Sequence, residues 1–274
     1  MIHIVTVHFR STAWIDRQLR SIRTFAPNAT TWASLDYIDE SQFGKFDHAM
    51  SLETTDLGPG IEPYSSGSDD PAGDRHGLKL NELARLVIQE AQDSDYLLFL
   101  DGDAMLLRDI DEIIANQSGL VAVRRDENDG DQFPHPSFCL VSVGQWRKLE
   151  GDWRRGEYVT SKSGRLTTDT GTKLVSQLDR HQMSWTPLLR MNSKNLHPVW
   201  FGVYGTPELG PVVYHHGAGF RPRVSRADLA AGNTSRLKVR RGFAQRQAAL
   251  DRKVQKKIDQ RPDGWLRLFV KDSR

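Results

Sequence analysis

The sequence predicts an α/β fold in which helices sandwich a mostly parallel sheet of Rossmann type, followed by a basic, helical extension. Three observations carry that expectation. Residues 2–37 read strand, helix, strand, a spacing that makes a βαβ unit and therefore a parallel pair. Residues 76–100 run a long amphipathic helix directly into an apolar strand. With 274 residues, 38% of them apolar, and a formal charge of +2, the chain suits one well-packed domain, and it holds no internal repeats.

Taken in order, Ile2–Val7 alternates and is rich in β-branched residues, as expected of a buried first strand with no free edge. In "FRSTAWIDRQLRSIRTF", Ile15, Leu19, Ile22 and Phe25 recur at spacings of three and four, which predicts a helix with Ser11 or Thr12 as its N-cap. Thr30–Tyr37 reads as the second strand. Asp56–Asp74 is dense in Gly, Pro, Ser and acid, the composition of a long functional loop or lid. Leu80, Leu83, Val87 and Ala91 give the next helix one apolar face, and Tyr96–Leu100 follows as a strand. Further on, Gly119–Val123 reads as a strand and "SFCLVSVGQWRKL" as a strand running into a short helix. "TDTGTKLVSQLDRH" is a loop opening a helix, and "VVYHHGAGFRPR" is a strand ending in paired histidines.

Composition limits the possible settings. A lone cysteine, Cys139, excludes an internal disulfide and a cysteine zinc site. No apolar run reaches the roughly 18 residues of a membrane span and "MIHIVTVHFR" does not read as a signal peptide, so a cytoplasmic setting is expected. Charge is unevenly placed: residues 221–274 carry 16 Lys/Arg against 5 Asp/Glu, about +11, which leaves about −9 for the rest. The expected division is a domain over 1–225 and an extension over 226–274. The extension is either a solvated helix or an arm for a polyanion.

Chemistry enters where the strand "YLLFL" runs into "DGDAMLL". In open α/β sheets ligands collect beyond the carboxyl ends of the strands, and Asp101, Asp103, His8, Arg10 and Asp36 all fall at such ends. Two carboxylates there offer hard oxygen ligands to Mn²⁺ or Mg²⁺ and leave coordination positions open for phosphate oxygens. The bland alternative is an Asp-Gly turn after a strand.

The stretches "IVTVHFRS…WIDRQLRSI" and "HGLKLNELARLVIQEAQDSDYLLFLDGDAMLL" resemble glycosyltransferases of GT-A fold, closest to family 2, over residues 2–110 and more loosely beyond. The resemblance includes the G-x-x-x-N opening of the helix and the D-x-D after the strand. It implies a hexosyltransferase-type enzyme using a nucleotide-sugar donor, with a UDP-sugar the favoured one. Asp101 would face the ribose or metal, Asp103 would be the main metal ligand, and Thr6, His8, Arg10 and Asp36 would line the base pocket. "HHGAGFRP" resembles the late H-x-x-G-x-x-K-P element of family 8, with its glycine displaced. That implies a metal ligand from His215 or His216, undecided because neighbours on a strand point opposite ways, and a diphosphate contact from Arg221.

The family 8-like tail points to retention, which needs no dedicated base, and the family 2-like front to inversion, the favoured outcome. An acceptor hydroxyl attacking with inversion needs a base, and Asp169 lies about where family 2 carries its acidic motif. It would also serve as an N-cap. Arg75, His76 and Lys79 are expected near the diphosphate. The acidic loop "RRDENDGDQ" is expected to be solvated or to face the acceptor. His135, His181 and His197 read as structural, and Trp146, Trp153, Trp185 and Trp200 as core. The acceptor stays open among small molecule, glycan, protein and modified nucleic acid. Two rival classes also stand. "LLFLDGDA" resembles the motif of haloacid-dehalogenase-type phosphatases, but the late acid pair of that family is missing. A non-catalytic nucleic-acid-binding module would use the basic extension.

Overall fold

The computed structural model describes residues 1–53, 71–116, 119–128, 130–156, 158–164, 166–217, 243–261 and 264–270. Ten strands form one sheet. They are β1 (Ile2–Phe9), β2 (Thr30–Asp36), β3 (His48–Met50), β4 (Tyr96–Phe99), β5 (Ala104–Leu106), β6 (Leu120–Val123), β7 (His135–Ser142), β10 (Trp185–Arg190), β11 (Gly202–Thr206) and β12 (Gly210–His215), while β8 (Val159–Thr160) and β9 (Leu166–Thr167) make a separate hairpin. The spatial order is β3-β2-β1-β4-β7-β6-β10-β11-β12-β5. The expected βαβ unit is present, with β1 parallel to both β2 and β4 and buried along its centre. Parallel pairing covers β3-β2-β1-β4 and β6-β10. β7 runs against both its neighbours, and β10-β11-β12-β5 are antiparallel.

The helices are α1 (Ile15–Phe25), α2 (Pro71–Glu90), α3 (Ile110–Asn116), α4 (Val143–Leu149), α5 (Thr172–Arg180) and α6 (Phe243–Gln260). They cover the two faces of the sheet as strand alternation requires. Ile4 packs with Ile15, Leu19 and Ile22 of α1 and Ile110 and Ile113 of α3. Its neighbour Val5 packs instead with Leu80, Leu83 and Val87 of α2, Trp146 of α4 and Leu174 of α5. Trp146 and Trp153 are core, and Trp185 and Trp200 pack half-buried against it. The start of α1 differs from expectation. Neither Ser11 nor Thr12 caps it, because a turn intervenes: Ser11 Oγ accepts from Ala13 N, and Trp14 takes the cap position without a side-chain bond. Of the expected loop Asp56–Asp74, residues 56–70 lie outside the described residues and Pro71–Asp74 already belong to α2, with proline at its favoured first position.

α2 is anchored through the glycine and asparagine of its G-x-x-x-N, which lie one turn apart on one side of the helix. A Cβ at Gly77 would stand 2.7 Å from the Trp153 carbonyl oxygen, so only glycine admits that approach. Asn81 donates to Asp152 Oδ1 at 2.6 Å and accepts from Trp153 N at 2.9 Å. Burial alone would raise the Asp152 carboxyl. Bonds from Arg154, Lys173 and Asn81 outweigh that and hold it far below the usual carboxylate range.

The C-terminal segment is docked rather than fully solvated. Val254 and Ile258 of α6, with Trp265 and Phe269 beyond it, pack on Trp14, Met105, Phe201, Val203 and Tyr214. Arg17 of α1 donates to both carboxylate oxygens of Asp259. The boundary expected at residue 225 falls outside the described residues. Among the described residues, no helix is long and apolar enough to cross a membrane.

Replacing Phe269 by alanine is expected to lower stability by about 3–5 kcal/mol in urea unfolding. A loosely attached arm would leave the midpoint unchanged. For Asp152→Asn the sign follows from its depressed pKa: the stabilisation is present above the ordinary carboxylate pKa of about 3.9 and is lost as pH falls below it. The variant is therefore expected to be less stable at pH 7 and to lose less stability than wild type on acidification below about pH 4.

Candidate active site

The site is built where β4 ends. Asp101 N donates to Pro136 O at 3.1 Å, and Ala104 N closes the Asp-Gly-Asp turn on Asp101 O at 2.8 Å. β5 then pairs with β12 in a register that sets His215 opposite Ala104, and His216 N donates to Asp103 O at 3.1 Å. This pairing joins the two sequence elements expected to work together. His215 Nε2 lies 3.2 Å from Asp103 Oδ1 and 3.6 Å from Asp101 Oδ2. Ligand atoms of Asp101, Asp103 and His215 all lie within 4.8 Å of one another, the one group of three such side chains this close among the described residues. Burial alone would depress the His215 pKa, but the Asp103 and Asp101 carboxylates leave it raised. The field between these groups therefore favours positive charge.

His216 points the other way. Its Nδ1 bonds the Tyr214 hydroxyl at 3.0 Å, its Nε2 lies 3.6 Å from Asp251 of α6, and its ring packs 4.3 Å from that of Trp14. Strand alternation thus turns one histidine to the acids and the other to the C-terminal helix. Gly217 has φ +72°, and Arg221 and Gly219 lie outside the described residues.

Gln18 holds the turn from below, a residue the sequence reading missed. This fully buried amide donates to Asp101 O at 2.7 Å and Ala104 O at 3.1 Å, while its Oε1 bonds Thr6 Oγ1 and His8 Nε2 at 3.1 and 3.0 Å. Thr6 and His8 were expected to line the base pocket. Both are fully buried against Gln18 instead and support the turn from inside, and burial lowers the His8 pKa to about 4. The only sequence signal for Gln18 is a polar residue on the apolar face of α1, beside Ile15 and Leu19.

Asp36 also differs from expectation. Fully buried, it accepts from Ser34 Oγ (2.6 Å), Ser51 Oγ (3.1 Å) and Leu52 N (2.8 Å) and pairs with Lys79 Nζ at 2.9 Å. Those partners fill the capacity of a carboxylate, leaving none for a base. Lys79, expected at the diphosphate, has its charge offset by Asp36 and by Glu53 at 3.0 Å. Arg75 donates to the Glu53 carbonyl. Arg10 is exposed directly after the end of β1. Its guanidinium lies 4.7 Å from the Phe9 ring centroid and 5.0 Å from that of exposed Tyr37.

Two histidines flank Asp101. His76 Nε2 is 3.1 Å from Asp101 Oδ1. His135, expected to be merely structural, has Nδ1 3.9 Å from Asp101 Oδ2, and its ring centroid is 5.4 Å from that of His215. Asp101 and His215 are both far from it in sequence, so its proximity to them was invisible before folding. His181 and His197 lie elsewhere, the latter stacked on Trp200.

Asp169 does not cap α5, whose N-cap is Gly171 in the left-handed region. Its Oδ1 accepts from Thr170 N at 2.9 Å, its Oδ2 lies 3.4 Å from Arg125, and its side chain is 44% exposed. Arg125 also pairs with buried Asp131 at 3.1 Å. Its charge is close enough to act on both His135 and His215. The acidic loop is not simply solvated. Asp131 is buried, and Glu127 accepts from the Tyr204 hydroxyl with Arg190 at 3.8 Å.

No family model and no curated protein matches the sequence. Among solved structures, the chain is similar to a galactosyltransferase, LgtC, in complex with donor and acceptor sugar analogues: 13% identity, 68% of this chain and 73% of that one, TM-score 0.37. It is similar also to residues 1–349 of S. aureus TarS in complex with UDP-GlcNAc: 12% identity, 98% of this chain and 76% of that one, TM-score 0.39. These are likenesses of chain path, and the functional reading rests on the residues of the site.

Proposed function

We propose that this chain transfers a sugar from a nucleotide-diphosphate donor to a hydroxyl acceptor. The observation that carries the reading is the convergence of His215 with Asp101 and Asp103, more than a hundred residues earlier in sequence, within 4.8 Å at the carboxyl end of β4. Two carboxylates and one imidazole fit Mn²⁺ or Mg²⁺, the nitrogen ligand leaning toward Mn²⁺, and such an ion would neutralise the charge of a departing diphosphate. In this reading Asp101, Asp103 and His215 hold the ion, and Arg10 and Tyr37 offer a flat cationic and aromatic surface at the rim for a nucleobase, with UDP the favoured diphosphate. Arg221 would fork phosphate oxygens. Asp169, held by Arg125 and open to solvent, would take the acceptor proton in an inverting transfer. Of the rival classes, the phosphatase needs a second acid pair at the Asp-Gly-Asp turn, and the third member of the cluster is instead a histidine.

Asp103→Asn preserves shape and removes one charge. Transfer from UDP-sugars is expected to fall below detection, with the circular dichroism spectrum unchanged. In wild type, UDP with Mn²⁺ is expected to raise the melting temperature, and chelation to abolish the shift. Turnover retained in the variant would reject the mechanism. Asp169→Asn is expected to lower kcat by about 10²–10⁴ while leaving the nucleotide-induced shift in place, and an unchanged kcat would remove Asp169 from the role of base.

A further inference from the structure

We infer that His76 is a positioning residue for the cation site, acting through Asp101. The inference rests on the reading of Asp101, Asp103 and His215 as the ligand set. A carboxylate near a cation can turn either oxygen to it, both, or neither, and the one that binds well is fixed from outside. Among the described residues, Asp101 has such a fixing group on one side only. Its Oδ1 lies 3.1 Å from His76 Nε2, within hydrogen-bond reach, and its Oδ2 faces His215 Nε2 at 3.6 Å. A carboxylate is acceptor-only, so the imidazole N–H donates, and Oδ1 is drawn away from the cluster while Oδ2 is presented to it. Asp101 is thereby set to ligate through a single oxygen.

The second histidine beside Asp101 does not share this role. His135 Nδ1 is 3.9 Å from Oδ2, beyond a hydrogen bond, and that nitrogen already accepts from Ser137 N at 3.1 Å. His76, by contrast, sits on a helix pinned one residue later. The missing side chain of Gly77 lets α2 touch the Trp153 carbonyl, and Asn81 bonds Asp152 and Trp153 a turn further on. The donor is therefore carried on a rigid element whose docking is independent of Asp101 itself. Groups that orient metal-binding carboxylates in this way typically change metal affinity by about 10–100-fold when removed.

The test measures Mn²⁺ binding directly, by the electron paramagnetic resonance signal of free Mn²⁺, in the full chain without nucleotide. Two variants are compared: His76→Leu removes the donor at similar bulk, and His76→Gln keeps an N–H. His76→Leu is expected to weaken Mn²⁺ by about 10–100-fold, and His76→Gln to stay within about threefold of wild type. Excess Mn²⁺ is expected to restore the nucleotide-induced melting shift of the leucine variant. Wild-type affinity in His76→Leu would overturn the inference, and so would equal weakening in both variants, since the imidazole would then act by something other than donating a proton. If wild type itself binds no Mn²⁺, the ligand assignment fails first, and the two failures are distinct.

Discussion

The antiparallel pairing of β5 with β12 is the interaction on which the rest of the site depends. Neither the Asp-Gly-Asp turn nor the paired histidines make a site alone, because each lacks what the other supplies. The ladder sets His215 against Ala104 and lets the His216 amide take the Asp103 carbonyl. Alternation then leaves no freedom: Met105 and Tyr214 face the C-terminal helix, and His215 faces the acids. Closing so long a loop costs chain entropy that grows only slowly with its length, and the hydrogen bonds and apolar packing of two short strands offset it.

A second constraint is the distribution of buried charge along the rim. Asp36 and Lys79 are both almost fully buried and neutralise each other, with Ser34, Ser51 and Leu52 satisfying the remaining acceptor positions. Removing either partner would strand a desolvated charge, a far larger penalty than the net value of the pair. The neighbouring strand ends carry strain as well. Arg10 and Tyr37 both have φ near +57°, unusual for side-chain-bearing residues and worth about 1–2 kcal/mol each. They are tied together by Arg10 N donating to Asp36 O and by stacking of Arg10 on Phe9 and Tyr37. The surrounding contacts hold that strain in place.

The fold was legible where local pattern decides it. β1, α1, β2, the helix before β4, and the strand–helix unit at 135–149 follow from periodicity, because an element's apolar face shows in its own residues. The direction of β7 and the antiparallel close of the sheet were not legible, since strand direction depends on partners distant in sequence. The same boundary runs through the site. Asp101, Asp103 and a histidine from the late pair were visible as residue types, and the choice of His215 needed the register of β12. Gln18 and His135 were missed because what defines them is the group across from them after folding. His8 and Asp36 were read as site residues from their position at strand ends and Thr6 from the family resemblance, yet their side chains turn inward into hydrogen-bond networks.

The docking of α6 and of Trp265 and Phe269 behind Tyr214 and His216 has a bearing on how the protein is made. A ribosome delivers both aspartates well before the paired histidines, and the strand carrying the imidazole gains its apolar backing only once residue 269 is out of the exit tunnel. The cluster of two acids and one imidazole is therefore completed late, and a nascent chain halted before that point carries two acids whose third partner still hangs on an unsupported strand.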